Sequence, residues 1–142
     1  MNAGALRRAG SLGAAVLVLA ACAPLRDRVR DTVPVAEIDG IVIKNELAYP
    51  VHDVMIEVPA TGGFAGCGMV LARATCSTSF PAAAYRREAL AIRWTEYGEP
   101  HAIEDVVLDP PKGVGGTPVA RLEVVIFAAG QAGARLVSAP AP

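Results

Sequence analysis

A small set of metal-binding side chains offers the first candidate chemistry of this chain. His52 and Met55 lie close together in one predicted strand, and Met69 follows between Cys67 and Cys76. Imidazole and thioether groups are ligands that copper accepts. However, the sequence has no His-x-Met motif or methionine-rich run, and strand alternation predicts that His52 and Met55 point to opposite faces. We therefore predict no metal site and no cofactor, with copper or zinc binding as the alternative.

The remaining candidates for catalysis lack the spacing that an active site requires. The glycine-rich stretches GGFAGCG and GVGG (residues 113–116) are not followed by the helix and lysine of a phosphate-binding loop. Ser77 and Ser79 have no histidine placed by a motif. Glu104 and Asp105 are adjacent, which predicts opposite faces on a strand. We therefore predict that the protein is not an enzyme and has no catalytic residues.

The first residues of the chain carry the features of a secretion signal. Arg7 and Arg8 precede a run of small and apolar residues at 12–21, which is shorter than the about 20 residues of a membrane-spanning helix. The run ends in Leu19-Ala20-Ala21-Cys22, which resembles the lipobox of bacterial lipoproteins. A cysteine thiolate readily forms a thioether, and small residues before it let an extended chain enter a protease cleft.

The lipobox resemblance implies a cellular address and a membrane partner. By analogy with that family, Cys22 receives a diacylglycerol thioether, a signal peptidase cuts before it, and the new amino group is acylated. Ala23 stands where well-studied lipoproteins of the inner membrane have Asp. We therefore expect a protein held by lipid in the bacterial cell envelope, at the outer membrane with its domain facing the periplasm. An ordinary signal peptide with an incidental cysteine and an uncleaved anchor are the alternatives.

The other two cysteines form an even pair. With Cys22 lipidated in an oxidising compartment, Cys67 and Cys76 remain for a disulfide. The eight residues between them do not match the Cys-x-x-Cys redox motif, and zinc-binding spacings are absent. We therefore predict a structural disulfide between Cys67 and Cys76, with a redox pair, a metal site or free thiols as the alternatives.

Length and charge limit the class of protein further. Removing residues 1–21 leaves about 120 residues, which corresponds to one domain. The loss of Arg7 and Arg8 leaves 11 basic against 14 acidic residues, so the mature net charge is −3. A mildly acidic chain without runs of like charge disfavours nucleic acid as a partner.

From Glu37 onward, short segments of alternating apolar and polar residues are separated by glycine and proline. Period-2 alternation predicts strands that include residues 41–47, 54–58, 90–94 and 119–127. Seven or eight such segments predict an all-β fold, an antiparallel β-sandwich of immunoglobulin or fibronectin type III shape. True immunoglobulin domains place the tryptophan between two distant cysteines, whereas Trp94 follows both cysteines here. The similarity to those domains is therefore one of shape alone.

The predicted organisation has four parts. Residues 1–21 form the signal peptide, residues 22–36 the lipidated cysteine and a tether, residues 37–138 the β-sandwich, and residues 139–142 a loose tail. Proline and alternating charge in the tether predict an extended chain, which would hold the domain about 40 Å from the bilayer.

Without a catalytic constellation, binding is the function that the sequence favours. Because loops carry many binding contacts, we expect contacts from a glycine-rich loop at 61–68 and a long loop at 109–118. Tyr97, Phe64 and Lys112 are the candidate partner-binding residues. We expect a non-catalytic binding or scaffold module that presents a sheet face or an edge strand to another envelope protein. A periplasmic protein that binds a small ligand or a metal is the alternative.

Overall fold

All helices and strands found in the described part of the chain are β-strands. The structure is a computed structural model, and it describes residues 34–79, 83–112 and 116–139. The predicted signal peptide, the lipobox and nearly all of the predicted tether lie outside these residues, as does most of the predicted tail.

Nine strands are found within the described residues. In chain order they are β1 (Ala36–Asn45), β2 (Val51–Val58), β3 (Gly63–Val70), β4 (Thr75–Thr78), β5 (Ala83–Tyr85), β6 (Leu90–Glu96), β7 (Glu99–Val106), β8 (Val119–Ala128) and β9 (Gln131–Ser138).

These strands form two sheets that pack as a sandwich, which confirms the predicted fold class. The five-stranded sheet has the order β4-β1-β8-β9, and the short strand β5 also pairs with β1, on the side where β4 lies. The four-stranded sheet has the order β3-β2-β6-β7. Strands β2 with β3, β6 with β7 and β8 with β9 are consecutive antiparallel pairs.

One pairing departs from the antiparallel pattern that the sequence predicts. Strands β1 and β8 run parallel, with Glu37 beside Val119 and Asn45 beside Ile126. A parallel pair needs a long crossover between its strands, and here the chain passes through the other sheet before it returns as β8. Side-chain alternation is the same for both strand directions, so the sequence pattern does not distinguish a parallel pair from an antiparallel one.

The core lies between the two sheets and is built from the inward residues of the alternating patterns. Leu90, Ile92 and Trp94 of β6 are all buried, as the period-2 pattern predicts. Ile41 and Ile43 of β1 are likewise buried in the same core cluster. Burial of one such aliphatic side chain contributes about 1.5–3 kcal/mol, so this cluster is the main source of stability.

The sandwich has two ends, named here by the residues that begin and end β1. At the Ala36 end, β1 and β8 begin, β2 reaches Val58 and β6 begins at Leu90. At the Asn45 end, β1 and β8 finish and β6 reaches Glu96. The chain therefore enters the domain from its N-terminal segment at the Ala36 end.

Residues 63–68 form a strand, which corrects the predicted glycine-rich loop at 61–68. Strand β3 pairs with β2 along its whole length, from Gly63 beside Val58 to Val70 beside Val51. A Cβ atom at Gly66 would lie 2.0 Å from the Val54 carbonyl oxygen. Glycine is therefore used here for a close approach between two strands, and the run of glycines does not signal a loop.

Candidate binding surfaces

The three predicted partner-binding residues are exposed, but they do not form one surface. The Tyr97 side chain is 82% exposed in the turn between β6 and β7, at the Asn45 end. Phe64 is 66% exposed near the start of β3, towards the Ala36 end. Lys112 lies between β7 and β8, also towards the Ala36 end. Tyr97 and Phe64 therefore lie towards opposite ends of the molecule.

The two remaining cysteines lie at disulfide distance. Their Cα atoms are 6.6 Å apart, within the range that a disulfide spans. Cys67 belongs to β3, an edge of the four-stranded sheet, and Cys76 belongs to β4, an edge of the five-stranded sheet. The bond therefore links the two sheets along one side of the sandwich.

A buried carboxylate organises the Asn45 end. Glu96 is 4% exposed, and its Oε1 accepts hydrogen bonds from Trp94 Nε1 at 2.7 Å and from the Gly130 backbone N–H at 2.9 Å. Its Oε2 accepts from the Tyr49 hydroxyl at 2.9 Å. Gly130 belongs to the turn between β8 and β9, so Glu96 links the two sheets.

These hydrogen bonds favour the charged form of the Glu96 carboxyl group. Burial by itself raises the pKa of this carboxyl group, but the hydrogen bonds from Trp94, Gly130 and Tyr49, with the nearby His101, hold it below its ordinary value. The same contact raises the pKa of the Tyr49 hydroxyl, since Tyr49 donates its hydrogen to Glu96. Every polar atom of the carboxylate is engaged within the fold, which makes Glu96 a structural group.

The turn beside Glu96 carries an unusual backbone. Tyr97 and Gly98 have φ values of 49° and 81°, the left-handed pair of a tight hairpin turn. Asparagine and glycine are the usual residues at the first of these positions, because a larger side chain costs about 1 kcal/mol there. The Tyr97 ring packs against the Tyr49 ring, with centroids 4.5 Å apart.

The outer face of the five-stranded sheet carries paired charges. Glu123 is buried between Lys44 and Arg135, and Arg135 Nε donates to Glu123 Oε1 at 2.8 Å. The hydrogen bond from Lys44, followed by that from Arg135, holds the pKa of Glu123 below its ordinary value despite its burial. Arg121 and Asp39 form a further ion pair at 3.7 Å.

The outer face of the four-stranded sheet carries exposed methionines. Met55 and Met69 are 41% and 52% exposed, and His52 is exposed directly opposite Met69 on the paired strands. The prediction that His52 and Met55 point to opposite faces is wrong. Asp53 has a φ of 50°, and the register between β2 and β6 shifts between His52 and Met55. This β-bulge inserts one residue, so both side chains point outward.

The same irregularity overturns the prediction for the adjacent carboxylates of β7. Asp105 has a φ of 56°, and the register between β6 and β7 shifts beside it. Glu104 and Asp105 are consequently both exposed. Glu104 accepts a hydrogen bond from Arg93 at 3.1 Å, which places it in a surface ion pair.

The four edges of the two sheets differ in how they are protected. Strand β7 carries Pro100 and the bulge at Asp105, and β3 and β4 are joined by the Cys67–Cys76 bond. Strand β9 has neither proline nor a disulfide, and residues 132–134 in its first half are small. Unprotected edge strands are ready to pair with another strand.

An apolar cavity opens at the Ala36 end. It has a volume of about 190 Å³ and lies between the sheets, and its apolar lining includes Ile38, Ile56, Val58, Leu90 and Leu122. Arg86 and Glu88 also line the cavity. The arrangement is suited to a small apolar ligand with a polar group at the mouth.

The fold and these surfaces define the class as a disulfide-linked β-sandwich, and the comparisons with known proteins add no family to it. No protein-family model, curated protein or solved structure matches the chain. Within the described ranges, no helix has the length and hydrophobicity that a membrane crossing requires. The same residues contain no group of three or more His, Cys, Asp or Glu side chains that could hold a metal ion.

Two buried carboxylates were not anticipated from the sequence. Glu96 continues the inward series of Leu90, Ile92 and Trp94. A charged residue at such a position indicates a buried hydrogen-bond network, so the sequence does contain a signal for this one. Glu123 lies on the outward side of β8 and is buried by long side chains from both neighbouring strands. Only the strand order places those side chains beside it.

Proposed function

We propose that this protein is a lipid-anchored envelope lipoprotein that acts without catalysis, as a binding module for another envelope protein. Strand β9 is the surface that docks an extended segment of the partner. The observation that carries this proposal is the contrast between β9 and the three protected edges of the sandwich.

Among the described residues no strand pairs with the outer side of β9, which leaves a row of its backbone groups without a strand partner there. The Ala139 N–H donates to the Val119 carbonyl at 3.1 Å, and the register pairs Arg121 with Val137 and Glu123 with Arg135. Residues of an antiparallel pair alternate between facing the partner strand and facing away. Residues 132, 134 and 136 therefore direct their N–H and C=O groups away from β8.

The side chains of β9 permit close approach by another strand. Ala132, Gly133 and Ala134 present little bulk, and the single charged residue of the strand, Arg135, is engaged by Glu123. An added strand would gain main-chain hydrogen bonds to this edge, with specificity from the side chains beside them.

The envelope part of the proposal rests on the N-terminal sequence. The lipobox Leu19-Ala20-Ala21-Cys22 supports lipid attachment at Cys22, and a Cys67–Cys76 disulfide fits an oxidising compartment. The chain enters the sandwich at the Ala36 end, and β9 runs from the Asn45 end at Gln131 to the Ala36 end at Ser138.

Site-specific crosslinking in native membranes tests the proposal. A photo-crosslinking amino acid replaces Val137 on β9 in the full-length lipidated protein, and the control replaces Ser77 on β4, at the opposite edge of the same sheet. We expect a specific adduct with one envelope protein from position 137 and no such adduct from position 77. Equal yields of the same adduct from both positions would refute docking at β9.

Two further variants test docking at β9, one by removing a backbone N–H and one by adding a charge on the edge. Ala134→Pro removes an outward N–H but no bond to β8, so the adduct should be lost, whereas Ala134→Ser keeps the N–H and should retain it. Gly133→Lys places a lysine on the edge, where a Cβ atom would meet only the Phe127 side chain at 3.7 Å, and blocks strand addition without altering the backbone. Retention of the adduct from position 137 in folded Ala134→Pro and Gly133→Lys proteins contradicts the proposal.

The cavity at the Ala36 end supports a second candidate, binding of a small apolar ligand. Leu122→Trp would fill part of the 190 Å³ volume from the wall. One-to-one binding of an apolar fluorescent probe by the wild-type protein, lost in Leu122→Trp but not in the β9 variants, would favour this function over docking. An absence of probe binding to the wild type removes it.

A further inference from the structure

We infer that His52, Met55 and Met69 form a surface site for a soft monovalent metal ion, Cu(I) in the first instance. The inference concerns the outer face of the four-stranded sheet, and it does not depend on docking at β9.

Two of the three ligands are directly opposed. His52 of β2 and Met69 of β3 are cross-strand partners, and side chains in such positions share a face with Cβ atoms about 4.5–5.5 Å apart. Both are exposed. This spacing lets an imidazole nitrogen and a thioether sulfur converge on one ion above the sheet.

The bulge brings the third ligand to the same face. Met55 would point away from His52 in a regular strand, but the left-handed residue Asp53 between them restores it to the outer side. Opposite Met55 lies Gly66, and a Cβ atom at the nearby Gly68 would meet nothing within 4 Å. The surface between the two methionines is therefore open, and their flexible chains can lean across it.

This face holds most of the thioether and imidazole groups of the described residues. The chain has three methionines including Met1, and two histidines. Both methionines beyond Met1 and one of the histidines are exposed together here, whereas the other histidine, His101, packs on Trp94 with ring centroids 5.6 Å apart. Methionine is often buried, whereas both of these thioethers are exposed beside one imidazole.

The chemistry of the three groups points to one class of ion. Thioether sulfur is a soft ligand that selects Cu(I), and imidazole also suits copper. Both are neutral ligands, and the exposed Asp53 carboxylate beside His52 offsets the charge of a bound cation. Arg93, on the same face, is paired with Glu104 at 3.1 Å and Glu57 at 3.8 Å, which limits repulsion of a metal ion.

Chelator competition with Cu(I) tests the site in the full-length lipidated protein in detergent. The wild type is compared with His52→Asn, Met55→Leu, Met69→Leu and a triple variant that combines the three substitutions. Leucine is close in volume to methionine, so folding should be preserved. We expect one Cu(I) bound per chain and a loss of affinity in each single variant of at least the ~10- to 100-fold that follows removal of a supporting residue at a metal site.

A second measurement reports the ligands directly. In protein labelled with ¹³C at the methionine methyl groups, the resonances of Met55 and Met69, assigned with the two leucine variants, should both shift on addition of Cu(I) or its redox-stable substitute Ag(I). Zn(II), which thioethers bind poorly, should leave them in place. Equal Cu(I) affinity of the wild type and the triple variant overturns the inference, as do unchanged methyl resonances.

Discussion

At the residue scale, Glu96 shows how a single buried charge connects the two sheets. It accepts one hydrogen bond from Trp94 of its own strand and one from the Tyr49 hydroxyl. It accepts a third from the Gly130 N–H, in the turn of the other sheet. A buried donor left without a partner costs about 1–3 kcal/mol. The carboxylate therefore stabilises the Asn45 end through the donors it satisfies.

We expect Glu96→Leu to lower the free energy of unfolding by at least about 2 kcal/mol, because it leaves Trp94 Nε1 and the Gly130 N–H without an acceptor. Glu96→Gln keeps an oxygen acceptor and should cost less. Urea unfolding at neutral pH measures both. Equal stability of Glu96→Leu and the wild type would show that solvent replaces the carboxylate without cost.

The lowered pKa of Glu96 also predicts a dependence on pH. The folded protein holds this pKa below its ordinary value of 4.5, so the unfolded chain takes up the proton first as the pH falls. The stabilisation is therefore complete above that value and is lost as the pH falls through the folded pKa. Glu123 contributes in the same direction. We expect the fall in urea midpoint below pH 4.5 to be shallower in Glu96→Gln than in the wild type.

Gly66 and Gly68 make a matched pair within one strand. A Cβ atom at Gly66 would meet the Val54 carbonyl oxygen at 2.0 Å, whereas a Cβ atom at Gly68 would meet nothing within 4 Å. We expect Gly66→Ala to cost at least the about 1–3 kcal/mol of an overpacked site and Gly68→Ala to lie within about 0.5 kcal/mol of the wild type. Thermal unfolding of both variants checks this, and equal costs would contradict it.

At the scale of the elements, the Cys67–Cys76 bond holds two edge strands that no backbone ladder joins. Strands β3 and β4 belong to different sheets, and the bond closes a loop with a sequence separation of 9. For so short a loop, the chain-entropy account gives somewhat under about 3 kcal/mol. The bond therefore contributes to stability mainly by restricting the unfolded chain.

We expect Cys67→Ala/Cys76→Ala to fold and to lose about 2–3 kcal/mol in urea unfolding. Reductant should lower the wild-type midpoint to that of the double variant and leave the variant itself unchanged. A wild-type midpoint that does not respond to reductant would show that the two thiols are not bonded in solution.

The period-2 pattern predicted most of these elements, and it failed where a strand contains a left-handed residue. Strands β1, β2, β6 and β8 lie where alternation places them. At Asp53 and Asp105 one extra residue reverses the alternation, and neither residue type announces a bulge by itself. The outward cluster of His52 and Met55 was missed for this reason.

At the scale of the whole molecule, the proposed address depends on Cys22. Each buried methylene of an acyl chain contributes about 0.8 kcal/mol, and stable anchoring needs more than one chain. We expect Cys22→Ser to move the protein from the membrane fraction to the soluble fraction, whereas Cys67→Ala/Cys76→Ala should stay with the membrane. Mass spectrometry of the membrane-bound protein should find lipid on Cys22, and a bare thiol there contradicts the anchor.

The sequence alone determined the all-β class, the inward residues of the main strands and the pairing of the two remaining cysteines, because alternation and cysteine count are local or compositional properties. Tertiary structure decided which strands are neighbours, that β1 and β8 run parallel, that β9 is the last of the described strands in its sheet, and that Glu123 lies between Lys44 and Arg135. Strand order arises from contacts between segments distant in the chain, and period-2 alternation reads the same in every order. The candidate binding surfaces belong to that second group, since each depends on which strands lie side by side.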